Sequence, residues 1–253
     1  MNDSKTILLV SLIASQIIGD FLFQPDAMAK KKAKLSILLL HSLILALISY
    51  ILCGVWNNWD IPLFIFITHL IIDSLKQSFD KNNMLAFFAD QVFHFLVIFF
   101  ISFIISPSLS PNQFYWWSLW GDNELGILII LAGFVVTTKV CELLIGFFLT
   151  PFNGQIKKEN RGFKDGGRII GILERAIIFL LIFINQTTGI GFLITAKTIF
   201  RFGEIRIAKN RREVEYILIG TFLSFSLGIF ITVMTMIISQ HFFKNFTFKL
   251  LYP

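Results

Sequence analysis

The sequence predicts an all-α fold: a polytopic transmembrane bundle of about eight helices with both termini on the outer side. Three observations carry that expectation: composition, the number of apolar stretches, and the distribution of basic residues between them. The chain of 253 residues is 55% hydrophobic and only 15% charged, with a mean hydropathy of +0.75. A soluble domain carries about 25% charged residues, so this apolar excess has no interior large enough to hide in. The 30 phenylalanines suit a surface that faces lipid.

A helix needs roughly 20 apolar residues to cross a bilayer. Such stretches occur at about 6–23, 35–56, 61–76, 84–105, 126–149, 168–186, 189–205 and 215–240. The first is read as a retained span, because no small-residue cleavage site follows it. The seventh is short and carries Lys197, Arg201 and Glu204, so a re-entrant or interfacial segment is the alternative there.

The connections test the count. "QPDAMAKKKAK" holds four Lys, whereas "NNWD" holds no basic residue. Lys76 and Lys81 follow the third stretch, and "SPSLSPNQFYWWSLWGDNE" again has none. "PFNGQIKKENRGFKDGGR" is basic, "NQTTG" is not, and "RFGEIRIAKNRR" is. Basic and basic-free connections alternate along the whole chain, which places the basic ones in the cytoplasm. The net charge of +6 then reflects topology and contact with anionic membrane lipid. No nucleic-acid-binding pattern is present.

The expected organisation is a four-span bundle over 1–105, an outer loop over 106–125, and a second four-span bundle over 126–253. Pro107 and Pro111 are expected to keep the outer loop from being helical, and its "FYWWSLW" reads as an interfacial aromatic belt. The two cysteines, Cys53 and Cys141, lie in apolar runs and support neither a disulfide framework nor a cysteine zinc site.

Ionisable residues inside spans are costly unless paired, which makes them candidates for function. Asp20, His41, His69, Asp73, Asp90 and His94 all fall in the cytoplasmic half of the first bundle, with His41 about 9 Å from its helix end at 1.5 Å per residue. His69 and Asp73 are four residues apart, as are Asp90 and His94, so each pair shares a helix face. The short connection between their helices makes them antiparallel neighbours. Neutral imidazole and carboxylate suit Zn²⁺, Mn²⁺ or Fe²⁺. On this reading His41, His69 and His94 are the metal ligands, and Asp20, Asp73 and Asp90 are the catalytic carboxylates. The bland alternative is a set of scattered structural hydrogen bonds.

In the second bundle, Arg175, Lys197 and Arg201 are candidates for holding an anion. Lys139, Glu142, Glu174 and Glu204 read as members of a structural ion-pair network.

The stretches "GDFLFQPDAMAKKK", "LLLHSLI", "THLIIDSLK" and "ADQVFHF" resemble a bacterial family of membrane proteins catalogued as domain of unknown function 3307. "GRIIGILERAIIF", "GFLITAKTIFRFGEIR" and "EYILIGTFLSF" are similar to its longer members. The resemblance implies Asp20, Gln24, His41, His69, Asp73, Asp90 and His94 as marked positions and a multi-pass location in the bacterial cytoplasmic membrane. It supplies no activity. The His/Asp pattern is also similar to families of membrane-bound metal-dependent hydrolases, whose order of motifs it does not reproduce. The residues favour a metal-dependent hydrolase or transferase acting on a lipid or phosphorylated headgroup. The alternatives are a proton- or metal-coupled transporter and a non-catalytic membrane subunit.

Overall fold

The computed structural model describes residues 3–29, 31–32, 34–78, 84–153, 165–207 and 211–243, with the backbone alone at 78, 153, 200–207, 211 and 213. No strand occurs among the described residues. Helix α1 (Ser4–Phe21) starts where the Asp3 carboxylate accepts the Thr6 N–H at 2.9 Å. The short α2 (Asp26–Ala29) leads to α3 (Leu35–Cys53), which stops at Gly54 in the left-handed conformation, φ 63°. Then come α4 (Asp60–Ser78) and α5 (Met84–Ile105). After α6 (Tyr115–Trp120), α7 (Asp122–Val135) runs through a π turn (Val136–Val140) into α8 (Cys141–Asn153). Helices α9 (Gly166–Phe183), α10 (Thr188–Ile207) and α11 (Arg211–Phe242) complete the described chain.

Every apolar stretch read from the sequence is helical. Five segments are long and apolar enough to cross a membrane: Ser4–Phe21, Leu35–Cys53, Met84–Ser108, Asp122–Phe152 and Val214–Phe242. Helices α4, α9 and α10 fall short of that measure. Their polar residues, among them His69, Asp73, Glu174, Arg175 and Lys197, lower their mean hydropathy, and the apolar part of α10 is only Thr188–Ile199.

The expectation of a non-helical loop over 106–125 is corrected. Ser106–Ser108 and Pro111–Gln113 are 3₁₀ turns, and α6 is helical. Each proline stands in the first turn of its 3₁₀ helix, where a missing N–H costs nothing. The turn is tied down by Trp116, whose Nε1 donates to the Ile51 carbonyl at 2.7 Å.

The chain divides into two compact units, one up to Val135 with the end of α11 from Ile238, the other Val136–Ile237. The boundary falls where α7 gives way to the π turn. In the first unit α1 packs against α3, α5 and α7, and α3 against α4. Its core holds Ile7, Leu8, Leu12, Leu45, Ile61, Ile98, Phe114 and Leu125. Gly19 lets α3 approach closely: a Cβ there would lie 2.2 Å from Leu45 Cδ1.

Helix α4 is inside out by the standards of a soluble protein. Ile61, Ile65, His69 and Asp73 form its buried stripe, while Leu63, Ile67, Ile71 and Leu75 form an exposed one. Helix α5 repeats this, with Asp90 and His94 inside and Phe93, Leu96, Phe100 and Phe103 outside. Polar groups in and apolar groups out is the arrangement that a hydrocarbon solvent selects.

Candidate metal centre

Four helices of the first unit bring the six sequence-predicted residues together: Asp20 on α1, His41 on α3, His69 and Asp73 on α4, Asp90 and His94 on α5. All are nearly fully buried. His41 Nε2 lies 3.0 Å from Asp20 Oδ1, and His69 Nε2 lies 3.6 Å from the same oxygen. Both nitrogens also face Asp73 Oδ2, at 3.8 Å and 3.2 Å respectively. His94 Nε2 closes the group, 3.8 Å from Asp73 Oδ1 and 3.6 Å from Asp90 Oδ1. The rings follow: His69 stacks on His94 with centroids 4.3 Å apart, and meets His41 edge-on at 4.9 Å.

Three overlapping triads have ligand atoms within 4.8 Å of one another: Asp20, His69 and His94; His41, His69 and Asp73; Asp73, Asp90 and His94. Bonds of about 2.0–2.2 Å to a tetrahedral ion put ligand atoms about 3.3–3.6 Å apart. In the quartet Asp20 Oδ1, His41 Nε2, His69 Nε2 and Asp73 Oδ2, the four nitrogen–oxygen distances of 3.0–3.8 Å bracket that edge length. Several buried atoms here have no hydrogen-bond partner: both nitrogens of His69, His94 Nε2, His41 Nδ1, Asp73 Oδ1 and Asp90 Oδ1. Orphaned buried groups are costly, and His69 Nε2, His94 Nε2, Asp73 Oδ1 and Asp90 Oδ1 face into the cluster.

Neighbours orient the carboxylates. Gln16 and Gln91 donate through Nε2 to Asp20 Oδ2 at 2.7 and 3.2 Å, which leaves Oδ1 to the imidazoles. Lys32 Nζ lies 2.5 Å from Asp73 Oδ2, and Lys76 Nζ donates to Asp90 Oδ2 at 2.6 Å. Sequence reasoning assigns no site role to Gln16, Lys32, Lys76 or Gln91. A faint signal existed for one of them. Gln16 stands four residues before Asp20, so it shares a helix face with its partner. Lys32 stands in a run of similar lysines and nothing singles it out. Gln24, marked by the resemblance, has a buried Nε2 without a partner.

With the imidazoles neutral, three carboxylates against two ammoniums leave one negative charge in this cluster among the described residues. A divalent cation would find both ligand atoms and an excess of negative charge.

The other sequence-predicted residues lie in the second unit. Arg175 on α9 is buried. Its guanidinium donates to the carbonyls of Thr137 and Thr138, each at 2.9 Å, and to the Ser224 hydroxyl at 2.8 Å. Thr137 and Thr138 sit in the π turn, where widening the helix frees carbonyls from the i−4 ladder. Gly171 and Gly228 make room for this side chain, since a Cβ on either would come within 3.1 Å of it. Lys197 pairs with Glu174, joining α10 to α9. Arg168 Nε meets Glu142 at 2.5 Å. Arg168, Arg175, Lys197 and Glu142 line one cavity of about 350 Å³ within this unit. Lys139 lies in the π turn. The side chains of Arg201 and Glu204 lie outside the described residues.

Residues 8–120 match the family described as protein of unknown function (DUF3307), a stretch that contains every member of the His/Asp cluster. No curated protein and no solved structure matches the chain.

Proposed function

We propose that this chain, a DUF3307 protein over residues 8–120, is an eight-crossing integral membrane protein that binds a divalent metal between α1, α3, α4 and α5. Five helices are long and apolar enough to cross a membrane. Helices α4, α9 and α10 cross with them, their polar residues turned toward neighbouring helices. Alternating loop charge supports external termini and a site in the half of the bilayer facing the basic loops.

The observation that carries the metal is the convergence of three imidazole Nε2 atoms and three carboxylates, with His69 Nε2, His94 Nε2, Asp73 Oδ1 and Asp90 Oδ1 lacking hydrogen-bond partners. His41, His69 and His94 hold Zn²⁺, Mn²⁺ or Fe²⁺ with help from the carboxylates. When bound, the ion makes a hydroxide available at neutral pH. Asp90, outside the quartet, is placed to take a proton from water, while Asp20 and Asp73 complete the ligand set. A hydrolase or transferase acting on a lipid or phosphorylated headgroup follows from a site of this kind in a membrane. Metal analysis of the purified full chain tests the reading: about one equivalent or more of a transition metal is expected, largely lost in His69→Ala. Retention of no metal by the wild-type protein after reloading would sink it.

One observation favours a transporter as the second reading. Glu124 is buried near Cys53 with both carboxylate oxygens unpartnered, at the opposite end of α3 from His41. Buried Ser11 and Ser102 on α1 and α5, also without hydrogen-bond partners, lie on the intervening helix stretches. Metal-driven proton movement in proteoliposomes, abolished by Glu124→Gln, would favour transport over hydrolysis.

A further inference from the structure

Of the two lysines at the cluster, one sits on an oxygen that a metal would need and the other on the carboxylate beside it. Asp73 Oδ2 belongs to the tetrahedral quartet, yet Lys32 Nζ lies 2.5 Å from it. Lys76 Nζ lies 2.6 Å from Asp90 Oδ2, beside the Asp90 oxygen that faces His94. An ammonium cannot stay in contact with a carboxylate oxygen that has a divalent ion about 2 Å away, because two like charges would then share one lone-pair shell. Metal entry therefore moves Lys32 off Asp73, and the added positive charge beside Asp90 repels the Lys76 ammonium.

Charge points the same way. Without metal the described cluster carries one excess negative charge when its imidazoles are neutral. With a divalent ion it carries one excess positive charge. The displaced groups cannot all go to water: the Lys32 side chain is only 8% exposed, whereas that of Lys76 is 33% exposed and marks the open edge. A buried ammonium that loses its carboxylate needs another anion.

We infer that Lys32 and Lys76 are the anion-binding pair of this site, held by Asp73 and Asp90 in the metal-free protein and released by the metal to receive a phosphate group. The inference rests on the metal reading above. Its ligand is a tetrahedral oxyanion bearing more than one negative charge, taken either as free phosphate or as the phosphomonoester headgroup of a lipid. The ion takes one oxygen and the ammoniums take others, so metal and phosphate bind cooperatively, each raising the affinity for the other by the same factor.

The test uses the full chain in detergent and in nanodiscs, with Mn²⁺ as metal. Inorganic phosphate is titrated calorimetrically with and without Mn²⁺, and phosphatidate nanodiscs are compared with phosphatidylcholine ones. Phosphate binding is expected only with Mn²⁺, about tenfold or more weaker in Lys32→Gln and Lys76→Gln, and largely restored in Lys32→Arg. Mn²⁺ itself is expected to bind Lys32→Gln severalfold more tightly than wild type, because a competing cation has gone. The same variant should also show the larger gain in melting temperature on Mn²⁺ addition. That second readout separates lost binding from lost folding.

Affinity confined to phosphatidate assigns the lipid headgroup, and comparable affinity for inorganic phosphate assigns the free ion. Mn²⁺ binding accompanied by phosphate affinity that is independent of Mn²⁺, or unchanged in both glutamine variants, overturns the inference and leaves the metal reading standing. Failure of wild type and variants alike to bind Mn²⁺ overturns both.

Discussion

His69 and His94 stack face to face, their rings 4.3 Å apart and inclined by 23°. Two imidazoles in that relation repel if both are protonated, and both offer Nε2 to the same carboxylate, Asp73. A metal bound here would therefore compete with protons for one pair of nitrogens. Metal affinity should fall by about tenfold or more between pH 8 and pH 6, as equilibrium binding at a series of pH values would read. His94→Phe keeps the stacked ring and removes the nitrogen. It should fold and lose metal affinity, and a variant that bound metal as well as wild type would exclude His94 from the site.

Glu174 and Lys197 form a mostly buried pair between α9 and α10, with side chains 10% and 13% exposed. Removing one partner leaves the other charged in apolar surroundings, at a cost of about 3–5 kcal/mol. Glu174→Gln should lower the melting temperature in detergent, and Glu174→Gln combined with Lys197→Met should recover most of the loss. Equal stability of the single variant and wild type would argue against the pair.

Arg175 satisfies two π-turn carbonyls and a hydroxyl with three N–H groups. Arg175→Met leaves those acceptors without donors and should destabilise the chain by about 2–5 kcal/mol. Arg175→Lys, with a single point of charge, should recover only part of this. Thermal melts of both variants decide the matter, and an unchanged Arg175→Met melt would remove the clamping role.

Cysteine-accessibility labelling checks the topology. In a background lacking Cys53 and Cys141, Cys placed at Asn112 should react from outside, and Cys at Asn160 or Asn210 only from the cytoplasm. Protection of the Asn112 position from external reagent would reverse the orientation.

The helices and the cluster were legible for the same reason. In a chain this apolar, Asp20, His41, His69, Asp73, Asp90 and His94 stand out against their surroundings, and spacing by four residues puts His69 with Asp73 and Asp90 with His94. What the sequence withheld were choices among similar residues. Lys32 is one of several neighbouring lysines, and only the path of the chain between α2 and α3 selects it for Asp73. The π turn was illegible because "VVTTKV" satisfies an ordinary helix equally well; the donors that fix it come from Arg175, far along the chain. Helix α6 is hidden because proline usually breaks a helix, whereas Pro107 and Pro111 here start turns.

The pairing of charges along α1 to α5 bears on how such a chain enters a membrane during synthesis. Asp20 and His41 belong to the first pair of long helices and lie 3.0 Å apart. Asp90 and Lys76 belong to the second pair. Each hairpin thus brings a carboxylate together with a group able to compensate it, so insertion can proceed two helices at a time without exposing a naked charge to lipid. Between hairpins, the Lys32–Asp73 ion pair joins one to the other, beside the contacts of Gln91 and His69 with Asp20. The second hairpin should therefore wait at the insertion machinery until the first is in place, and a chain carrying Lys32→Gln should show that delay as lengthened crosslinking to the machinery at α4.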